Sequence, residues 1–421
     1  MDDSTTQPIG SHGTGQVLFL HTNYPAQFRF LVKAYRARGW TVWFASHTTK
    51  NKPLADINHL PLRQAAAKGS KLDQLQQRSQ LAFADLLAAK RRQGLQPERI
   101  YVHSGWGLGP FLKDLFPKAK LIAYSEWWFN FHSHDFNFDP GNPEVQHSLE
   151  ARLAMLLRNQ GFALELLQAD AVIAPTLWQR NQLPQAFRQR CAVIFDGIDQ
   201  EMFHPGEPDP AHNQPLACLD PSRPMLTYAT RGLEPYRGFP EFARAAENLL
   251  KADPSWQVAI AGKDAQTYFR NNRNNQGFGA RAMARFEELG VADRVHLLGP
   301  LSLLSYRNLL QRSTLHCYFT RPYVLSWSLL EAALCGCRLF SSATPPVLEF
   351  LKEDPGSTLV DHTSDQLGEQ LIAAAQDAAA DTSTSAHERL QGRNGIVKRV
   401  SAPVCVQRHL KLADKISQRP R

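Results

Sequence analysis

The sequence predicts an α/β protein, because short apolar runs rich in β-branched residues alternate with longer amphipathic runs along most of its length. This alternation is typical of parallel, doubly wound sheets that are covered by helices. A proline-rich stretch over 205–224 interrupts the pattern, which then starts again. Since 421 residues exceed what one hydrophobic core usually holds, we expect two Rossmann-like domains that face a central, ligand-binding cleft.

The first domain is predicted to span 15–204. Its apolar runs have the length of buried strands, and its amphipathic runs repeat at helical spacing. The predicted strands cover 17–21, 41–46, 99–103, 119–124, 170–174 and 191–195, and the predicted helices cover 27–38, 72–92 and part of 143–169.

The second domain is predicted to span 225–385, after a linker over 205–224. Pro240 stands at a predicted helix start, where its missing N–H has no helical partner to lose. The predicted strands cover 225–229, 257–262, 295–298, 315–319 and 338–340, and the predicted helices cover 240–251, 279–289, 304–311, a segment that begins near Ser328, and 364–379.

Composition excludes several classes of protein. Hydrophobic residues make up 43% and charged residues 20%, as in ordinary globular proteins. No apolar run is long enough to span a bilayer, and residues 1–14 are polar, so we expect a flexible leader there rather than a signal peptide. The six cysteines lack the paired spacing of a zinc site, which predicts a reduced, cytoplasmic protein without a structural metal.

The net charge of +8 predicts anionic partners, such as nucleotides, an acidic membrane surface or nucleic acid. The basic residues are spread over the chain and form no known nucleic-acid-binding motif, so we expect no nucleic acid partner. Basic residues over 398–421 leave open a weak peripheral contact with the inner membrane surface. Ordinary solubilising charge explains the same residues.

The segment 321–337 carries the clearest functional signal. It reads as a strand end, a short turn and a helix that has Glu331 in its first turns. A helix start presents unpaired N–H groups and a partial positive charge, which suit a phosphate. A nearby carboxylate can accept hydrogen bonds from two ribose hydroxyl groups. The structural alternative is a capping box, in which Ser328 and Glu331 satisfy backbone donors and bind nothing.

A basic loop farther upstream fits the same ligand. Arg231 and Arg237 are separated by glycine and proline and follow the first predicted strand of the second domain. Both can fold back towards one anion, and a guanidinium group donates bidentate hydrogen bonds to phosphate. The alternative is a solvated basic loop. Together with Glu331, this loop predicts a site for a nucleotide diphosphate.

The motifs resemble those of the retaining glycosyltransferases of family 4, which have the GT-B fold. The resemblance implies transfer of a sugar from a nucleotide diphosphate to an acceptor hydroxyl group with retention, in polysaccharide or glycolipid biosynthesis. It implies an acceptor-binding first domain, a nucleotide-sugar-binding second domain, and a C-terminal segment over 386–421 that crosses back to the first. It rests on Arg231, Arg237-Gly238, Gly299, Leu330-Glu331-Ala332, Gly336 and the segments 21–28, 174–180 and 196–205.

The resemblance also implies roles for the two motifs of the second domain. Arg231 and Arg237 would bind the donor diphosphate and assist catalysis, and Glu331 would bind the ribose. No metal and no cofactor beyond the nucleotide sugar would be needed, because basic side chains offset the charge of the leaving diphosphate.

The turn before the Glu331 helix would contact the phosphates or the donor sugar through Ser326, Trp327 and Ser328. It departs from the family pattern at two positions. Tyr323 stands where relatives usually have a glutamate near the donor sugar, and Ser326 replaces a turn glycine.

Three loops of the first domain are expected to line the acceptor site. The first contains Asn23 and Tyr24, and the second contains His103 and Trp106. The third is an aromatic run that begins at Glu126, our candidate catalytic residue on the acceptor side. Aromatic faces stack on sugars, so the run resembles a site for a carbohydrate or lipid-linked acceptor. A buried aromatic cluster is the alternative.

Two rival functions keep the same fold. One is a different reaction on a nucleotide sugar, by an epimerase or a phosphorylase. The other is a non-catalytic relative that binds a nucleotide or glycan, which Tyr323 in place of the usual acid suggests.

Overall fold

The computed structural model describes residues 15–49, 53–66, 69–132, 134–139, 142, 148–265, 277–381 and 383–418. The predicted leader over 1–14 lies outside these residues. The chain divides into two compact units. The first comprises the described residues of Met1–Phe129, Leu153–Asp196 and Cys405–Arg421, and the second comprises those of Asn130–Arg152 and Gly197–Val404.

The first unit is built on parallel strands. They are β1 (Gln16–Leu20), β2 (Asn23–Tyr24), β3 (Thr41–Ser46), β4 (Thr48–Thr49), β5 (Asn58–Pro61), β6 (Arg99–His103), β7 (Lys120–Tyr124), β8 (Ala171–Ala174) and β9 (Cys191–Val193). Seven of them form one sheet in the order β5-β3-β1-β6-β7-β8-β9, while β2 pairs with β4.

The second unit contains a six-stranded parallel sheet. Its strands are β10 (Met225–Gly232), β11 (Gln257–Lys263), β12 (Val295–Gly299), β13 (Leu315–Tyr318), β14 (Leu339–Ser342) and β15 (Ser357–Val360). Their order is β12-β11-β10-β13-β14-β15, which places β10 near the centre of the sheet.

Helices connect the strands of both sheets. In chain order they are α1 (Arg29–Ala37), α2 (Lys71–Gln93), α3 (Leu112–Leu115), α4 (His134–Asn137), α5 (Leu149–Leu157), α6 (Asn159–Gln168), α7 (Leu177–Asn181), α8 (Gln185–Arg188), α9 (Phe239–Ala252), α10 (Phe278–Glu288), α11 (Leu303–Gln311), α12 (Trp327–Leu334), α13 (Pro345–Leu351), α14 (Leu367–Ala380), α15 (Ala386–Gly392), α16 (Asn394–Val400) and α17 (Ala402–Ser417).

Alternating side chains of β1 explain why both faces of the first sheet are covered. Leu18 packs with Leu86 of α2 on one face, whereas Phe19 packs with Leu31 of α1 and Ala413 of α17 on the other. Strands that are buried on both faces read as continuous apolar runs. Polar side chains that could form a site are therefore expected just after these runs, at the carboxyl edge of the sheet.

The second sheet is covered in the same way. Leu226 of β10 packs with Phe242 of α9 and Leu371 of α14. On the opposite face, Ala229 of β10 packs with Leu309 of α11. The prediction of two Rossmann-like parallel-sheet domains is thus confirmed by the structure.

The described units depart from the domain limits expected from the sequence. The predicted linker over 205–224 belongs to the second unit, because Leu216 is buried in its core. The described residues of 130–152 also belong to it, and Phe138 among them stacks on His362 with ring centres 5.3 Å apart. The C-terminal segment divides at residue 405, and its last part joins the first unit through α17.

In the part of the chain that the structure describes, no helix is both long and apolar enough to cross a lipid bilayer.

Candidate functional site

Two histidines meet at the carboxyl edge of the first sheet. His21 follows β1 and His103 ends β6, and their rings lie edge to face with centres 4.6 Å apart. Burial lowers the pKa of His103 from its usual 6.5 to about 4. Burial, and then the neighbouring His103, lower the pKa of His21 well below its usual value. Both rings are therefore neutral at physiological pH.

The predicted loop residue Trp106 contacts His103 directly. Its indole N–H donates to Nδ1 of His103 at 2.9 Å. An indole nitrogen can only donate, so Nδ1 must accept and the neutral ring carries its proton on Nε2. That Nε2 lies 3.8 Å from Oε2 of Glu126, a separation longer than a hydrogen bond. The structure thus brings three predicted residues, His103, Trp106 and Glu126, to one place.

A residue that the sequence did not indicate holds this loop. Glu165 of α6 is 0% exposed, and its two carboxylate oxygens accept the N–H groups of Gly105 and Gly109, each at 2.8 Å. Burial raises the pKa of Glu165 to about 7, although these two hydrogen bonds oppose the increase. Gly105 is required where it is, because its φ is +88° and a Cβ there would lie 2.0 Å from the Phe162 ring.

In the other two predicted loops of the first unit, several residues support the fold through hydrogen bonds and core packing. Asn23 donates its backbone N–H to Nδ1 of His21 at 2.8 Å. Tyr24 is buried against Phe44, with ring centres 4.9 Å apart, so its side chain packs in the core. In the aromatic run after Glu126, Trp127 and Phe129 are also buried, which favours the buried-cluster alternative for those two residues.

The basic loop of the second unit contains one exposed and one buried arginine. Arg231 is exposed near the end of β10, and its side chain makes no hydrogen bond or ion pair with a described residue. Arg237 is 5% exposed. Its Nη1 donates to Oγ1 of Thr320 at 2.7 Å and to the carbonyl oxygen of Val324 at 3.3 Å. Arg237 therefore connects the loop after β10 to the turn after β13.

The turn before α12 excludes the capping box expected as an alternative. Ser326 is the N-cap, and its Oγ accepts the N–H of Ser328 at 3.3 Å. Ser328 consequently lies inside the helix and cannot cap it. The N–H of Ser326 donates to the hydroxyl of Tyr318 at 3.0 Å. These two backbone amides of the predicted phosphate-binding turn are thus already hydrogen-bonded within the protein.

Glu331 lies within α12 and is 7% exposed. Burial first and the Glu331 carboxylate second raise the pKa of Tyr306 of α11 well above its usual value. The Tyr306 hydroxyl donates to the carbonyl oxygen of Ser328 at 3.5 Å. Glu331 is therefore placed by a helix rather than by a loop, and Tyr306 contacts the first turn of that helix.

Tyr323 packs where an acid was expected from the resemblance. Its ring lies edge-on to Tyr236 at 5.3 Å, and Tyr236 donates its hydroxyl to Asp135 at 3.1 Å. A cavity of about 420 Å³ opens beside this turn, with Pro322 and His362 among its lining residues. Among the described residues, no group of three or more His, Cys, Asp or Glu side chains is placed to hold a metal ion.

Two family profiles match the chain, one in each half. Residues 38–203 match the profile described as "Glycosyl transferase family 4 group". Residues 220–390 match the one described as "Glycosyl transferases group 1". A search of curated protein sequences finds no significant match.

Solved structures with a similar fold cover almost the whole chain. Sucrose-phosphate synthase from Thermosynechococcus elongatus is 16% identical, with a TM-score of 0.70 over 96% of this chain and 99% of its own. Alr3699/HepE from Anabaena, solved with UDP-glucose, is 16% identical, with a TM-score of 0.64 over 95% and 100%. The catalytic domain of starch synthase IV from Arabidopsis thaliana, bound to ADP and acarbose, is 13% identical, with a TM-score of 0.63 over 97% and 100%.

Proposed function

Because this chain belongs to the family 4 type of glycosyltransferases with the GT-B fold, we propose that it transfers a sugar from a nucleotide diphosphate to an acceptor hydroxyl group, with retention. The acceptor would be a carbohydrate or a lipid-linked sugar. The observation that carries the proposal is the pairing of the Arg231 loop with the turn before α12 through the buried side chain of Arg237.

In the proposed donor site, Arg231 binds the diphosphate because its exposed side chain has no partner among the described residues. Arg237 has a double role: it holds the turn before α12 and places a second positive charge beside the diphosphate. Glu331 accepts hydrogen bonds from the ribose hydroxyl groups. Ser326, Trp327 and Ser328 contact the phosphates or the sugar; the two serine hydroxyl groups hydrogen-bond to each other at 2.9 Å, which leaves one hydroxyl proton to donate. The relative solved with UDP-glucose supports a donor of this class.

In the proposed reaction, the bond between the anomeric carbon and the diphosphate oxygen breaks on the face where the acceptor oxygen attacks. The acceptor proton passes to the leaving diphosphate, so no strong protein base is needed. The positive charges of Arg231 and Arg237 stabilise the charge that develops on the diphosphate, which is most useful in the transition state. We therefore propose a reaction without a metal ion and without a cofactor beyond the nucleotide sugar.

The acceptor site is proposed at the carboxyl edge of the first sheet. His103 is buried and uncharged. Its Nε2 carries the proton, because its Nδ1 accepts from Trp106, and this Nε2 lies 3.8 Å from Oε2 of Glu126. Glu126 is an acceptor-side carboxylate that is already oriented by a hydrogen bond from Gln27 at 3.1 Å. Asn23 orients His21 through its backbone. The Glu126 carboxylate can accept hydrogen bonds from the hydroxyl groups of a sugar.

The reaction is tested by incubating the protein with radiolabelled nucleotide sugars and an acceptor library in the presence of EDTA. We expect one donor to release its nucleoside diphosphate and to form a product with the donor's anomeric configuration. Arg231→Ala should abolish most of this turnover. Arg223→Ala is the matched control, because Arg223 is an exposed arginine just before the other end of the same strand. Equal turnover in wild type and Arg231→Ala would overturn the assignment.

A second candidate function is favoured by one observation, the presence of Tyr323 at the position of the usual acid. A non-catalytic relative would bind a nucleotide or a glycan without turnover. Saturable nucleotide binding combined with no turnover on any donor would select this function.

We also propose that the protein acts in the cytosol, with weak peripheral contact with anionic lipid. The net charge of +8 supports this contact. Co-sedimentation with phosphatidylglycerol vesicles, and not with phosphatidylcholine vesicles, would be the expected result at low salt.

A further inference from the structure

Arg158 stands at a break between two helices of the chain. α5 ends at Leu157 and α6 begins at Asn159. The Asn159 side chain fixes the break, because its Oδ1 accepts the N–H of Phe129 at 3.2 Å and its Nδ2 donates to the Phe129 carbonyl oxygen at 2.7 Å. The guanidinium carbon of Arg158 consequently lies 5.0 Å from the centre of the Phe129 ring and 5.9 Å from that of Trp106.

Arg78 of α2 approaches the same place from another direction. One turn earlier, Leu75 packs so closely that a Cβ on Gly107 would lie 2.8 Å from the Leu75 carbonyl oxygen, and a Cβ on Gly161 would lie 2.7 Å from its Cδ2. α2 is therefore close to both the Trp106 loop and α6. Burial first and the positive charge of Arg158 second lower the pKa of Arg78.

Arg78 and Arg158 bring two positive charges to this place, and no described acidic side chain forms an ion pair with either of them. Both are half-buried, and neither guanidinium group makes a hydrogen bond or an ion pair with a described residue. Arg99, another largely buried arginine of the first unit, differs in this respect, because it pairs with Asp414 at 2.8 Å. Like charges that are held together in this way repel each other. They are stabilised when an anion binds between them.

We infer that Arg78 and Arg158 bind a phosphate group of the acceptor substrate. A phosphate monoester carries nearly two negative charges at neutral pH, which matches two arginines better than the single charge of a carboxylate does. Each guanidinium group can donate two parallel hydrogen bonds to phosphate oxygens. The inference deepens the proposed function and rests on it, because it defines the acceptor of that reaction as a phosphorylated compound.

Trp106 relates this phosphate site to the proposed acceptor site. One indole contacts Arg158 by its ring, at 5.9 Å, and His103 by its N–H, at 2.9 Å. A phosphate at the arginines therefore leaves the sugar of the same molecule on the Trp106 side, where Glu126 offers a partly exposed carboxylate. The phosphate can belong to a soluble sugar phosphate or to a phosphorylated glycolipid.

The test is isothermal titration of the full chain with inorganic phosphate, glucose 6-phosphate and glucose at constant ionic strength. Arg231→Ala serves as the background, so that phosphate bound at the donor site does not contribute. We expect saturable binding of phosphate and tighter binding of the sugar phosphate, and at least tenfold weaker binding in Arg78→Gln and Arg158→Gln. Arg91→Gln, an exposed arginine on the same helix, is the matched control and should bind as the background does. Arg78→Lys keeps the charge and should bind with an intermediate affinity.

Phosphate binding that is absent, or unchanged in Arg78→Gln and Arg158→Gln, would overturn the inference. Titration of the wild type with nucleotides tests the donor site separately. If the wild type binds no nucleotide but the phosphate site binds phosphate, the donor site is excluded and the phosphate site is retained. The source of the phosphate is separated by adding vesicles with and without phosphatidic acid. Binding to phosphatidic acid without binding to glucose 6-phosphate would assign the site to a lipid phosphate.

Discussion

The indole N–H of Trp106 donates to Nδ1 of His103, and this hydrogen bond determines which nitrogen of His103 carries the proton. Since the ring is fully buried and its pKa is about 4, it stays neutral throughout the physiological range. His103 can therefore donate from Nε2 without changing its charge. We interpret it as a positioning residue for the Glu126 carboxylate, 3.8 Å away, rather than as an acid or a base.

Trp106→Phe tests this relationship. The substitution keeps an aromatic ring but removes the indole N–H, so Nδ1 loses its donor and the His103 tautomer is no longer determined. We expect kcat to fall about tenfold, which corresponds to one hydrogen bond of about 1.4 kcal/mol, with the KM for the donor unchanged. Trp40→Phe, at the opposite end of the sheet, is the control. An unchanged kcat in Trp106→Phe would show that the tautomer has no role.

Arg231 and Arg237 should differ in what they contribute to stability. Arg231→Ala removes an exposed side chain without described partners, so the free energy of unfolding should change by less than about 0.5 kcal/mol while turnover falls. Arg237→Ala removes the donor to Thr320 and Val324, so it should also lower that free energy by about 1–3 kcal/mol. Urea denaturation measures both values. Equal stabilities would contradict the structural role of Arg237.

Glu165→Gln tests the buried carboxylate below the Trp106 loop. A Gln amide group would place a donor against the N–H of Gly105 or Gly109, so we expect a loss of about 1–3 kcal/mol. The pKa of Glu165 is raised to about 7 in the folded state. The wild type therefore binds more protons when folded, and its stability decreases as the pH rises from about 4.5 to 7.

The Gln variant lacks this titration, so its deficit should be largest near pH 5 and smaller at pH 8. Glu98→Gln, an exposed residue of the same unit, is the control. A deficit that grows as the pH rises would show that the pKa of Glu165 in the folded state lies below its ordinary value of 4.5 rather than above it.

Buried histidines should make the protein sensitive to acid. Burial lowers the pKa of His316 to about 4, as it does for His103 and His409. Between pH 4 and 6.5 the unfolded state binds more protons, so this stabilisation is complete above pH 6.5 and is lost as the pH falls. We expect each histidine to account for about 2 kcal/mol between pH 7 and pH 5.

In His316→Asn, the free energy of unfolding should decrease by about 2 kcal/mol less than in the wild type between pH 7 and pH 5. Urea denaturation at several pH values measures this difference. His387→Asn is the control, because His387 is exposed. The same pH dependence in wild type and His316→Asn would contradict the assignment of a neutral, buried His316.

Strand periodicity predicts the core of this fold well, because strands buried on both faces are continuous apolar runs. The predictions for β3 and β6 match the structure at both ends. β5 was missed because it contains Asn58, His59 and Pro61, which give no apolar run. The long helix predicted within 143–169 is interrupted at Arg158, because Asn159 bonds to the distant backbone of Phe129.

The candidate site was only partly predictable, because some of its residues lie in local sequence motifs and others are brought in by distant tertiary contacts. The spacing of Arg231, Arg237 and Glu331 could be read from the chain because each lies in a local motif. Glu165 could not, since a glutamate within an amphipathic helix pattern reads as a solvated residue. Its role depends on the close approach of Gly105 and Gly109, which only the tertiary structure shows.

The nucleotide site is the central claim, and thermal unfolding with UDP, GDP, ADP and TDP in EDTA tests it most directly. Wild type and the exposed control Glu287→Ala should gain about 5 °C with one of the four at a hundredfold excess over Kd. The same nucleotide should stabilise Glu331→Ala much less, because the ribose contact is lost. No shift with any nucleotide, or an equal shift in Glu331→Ala, would contradict the proposed site.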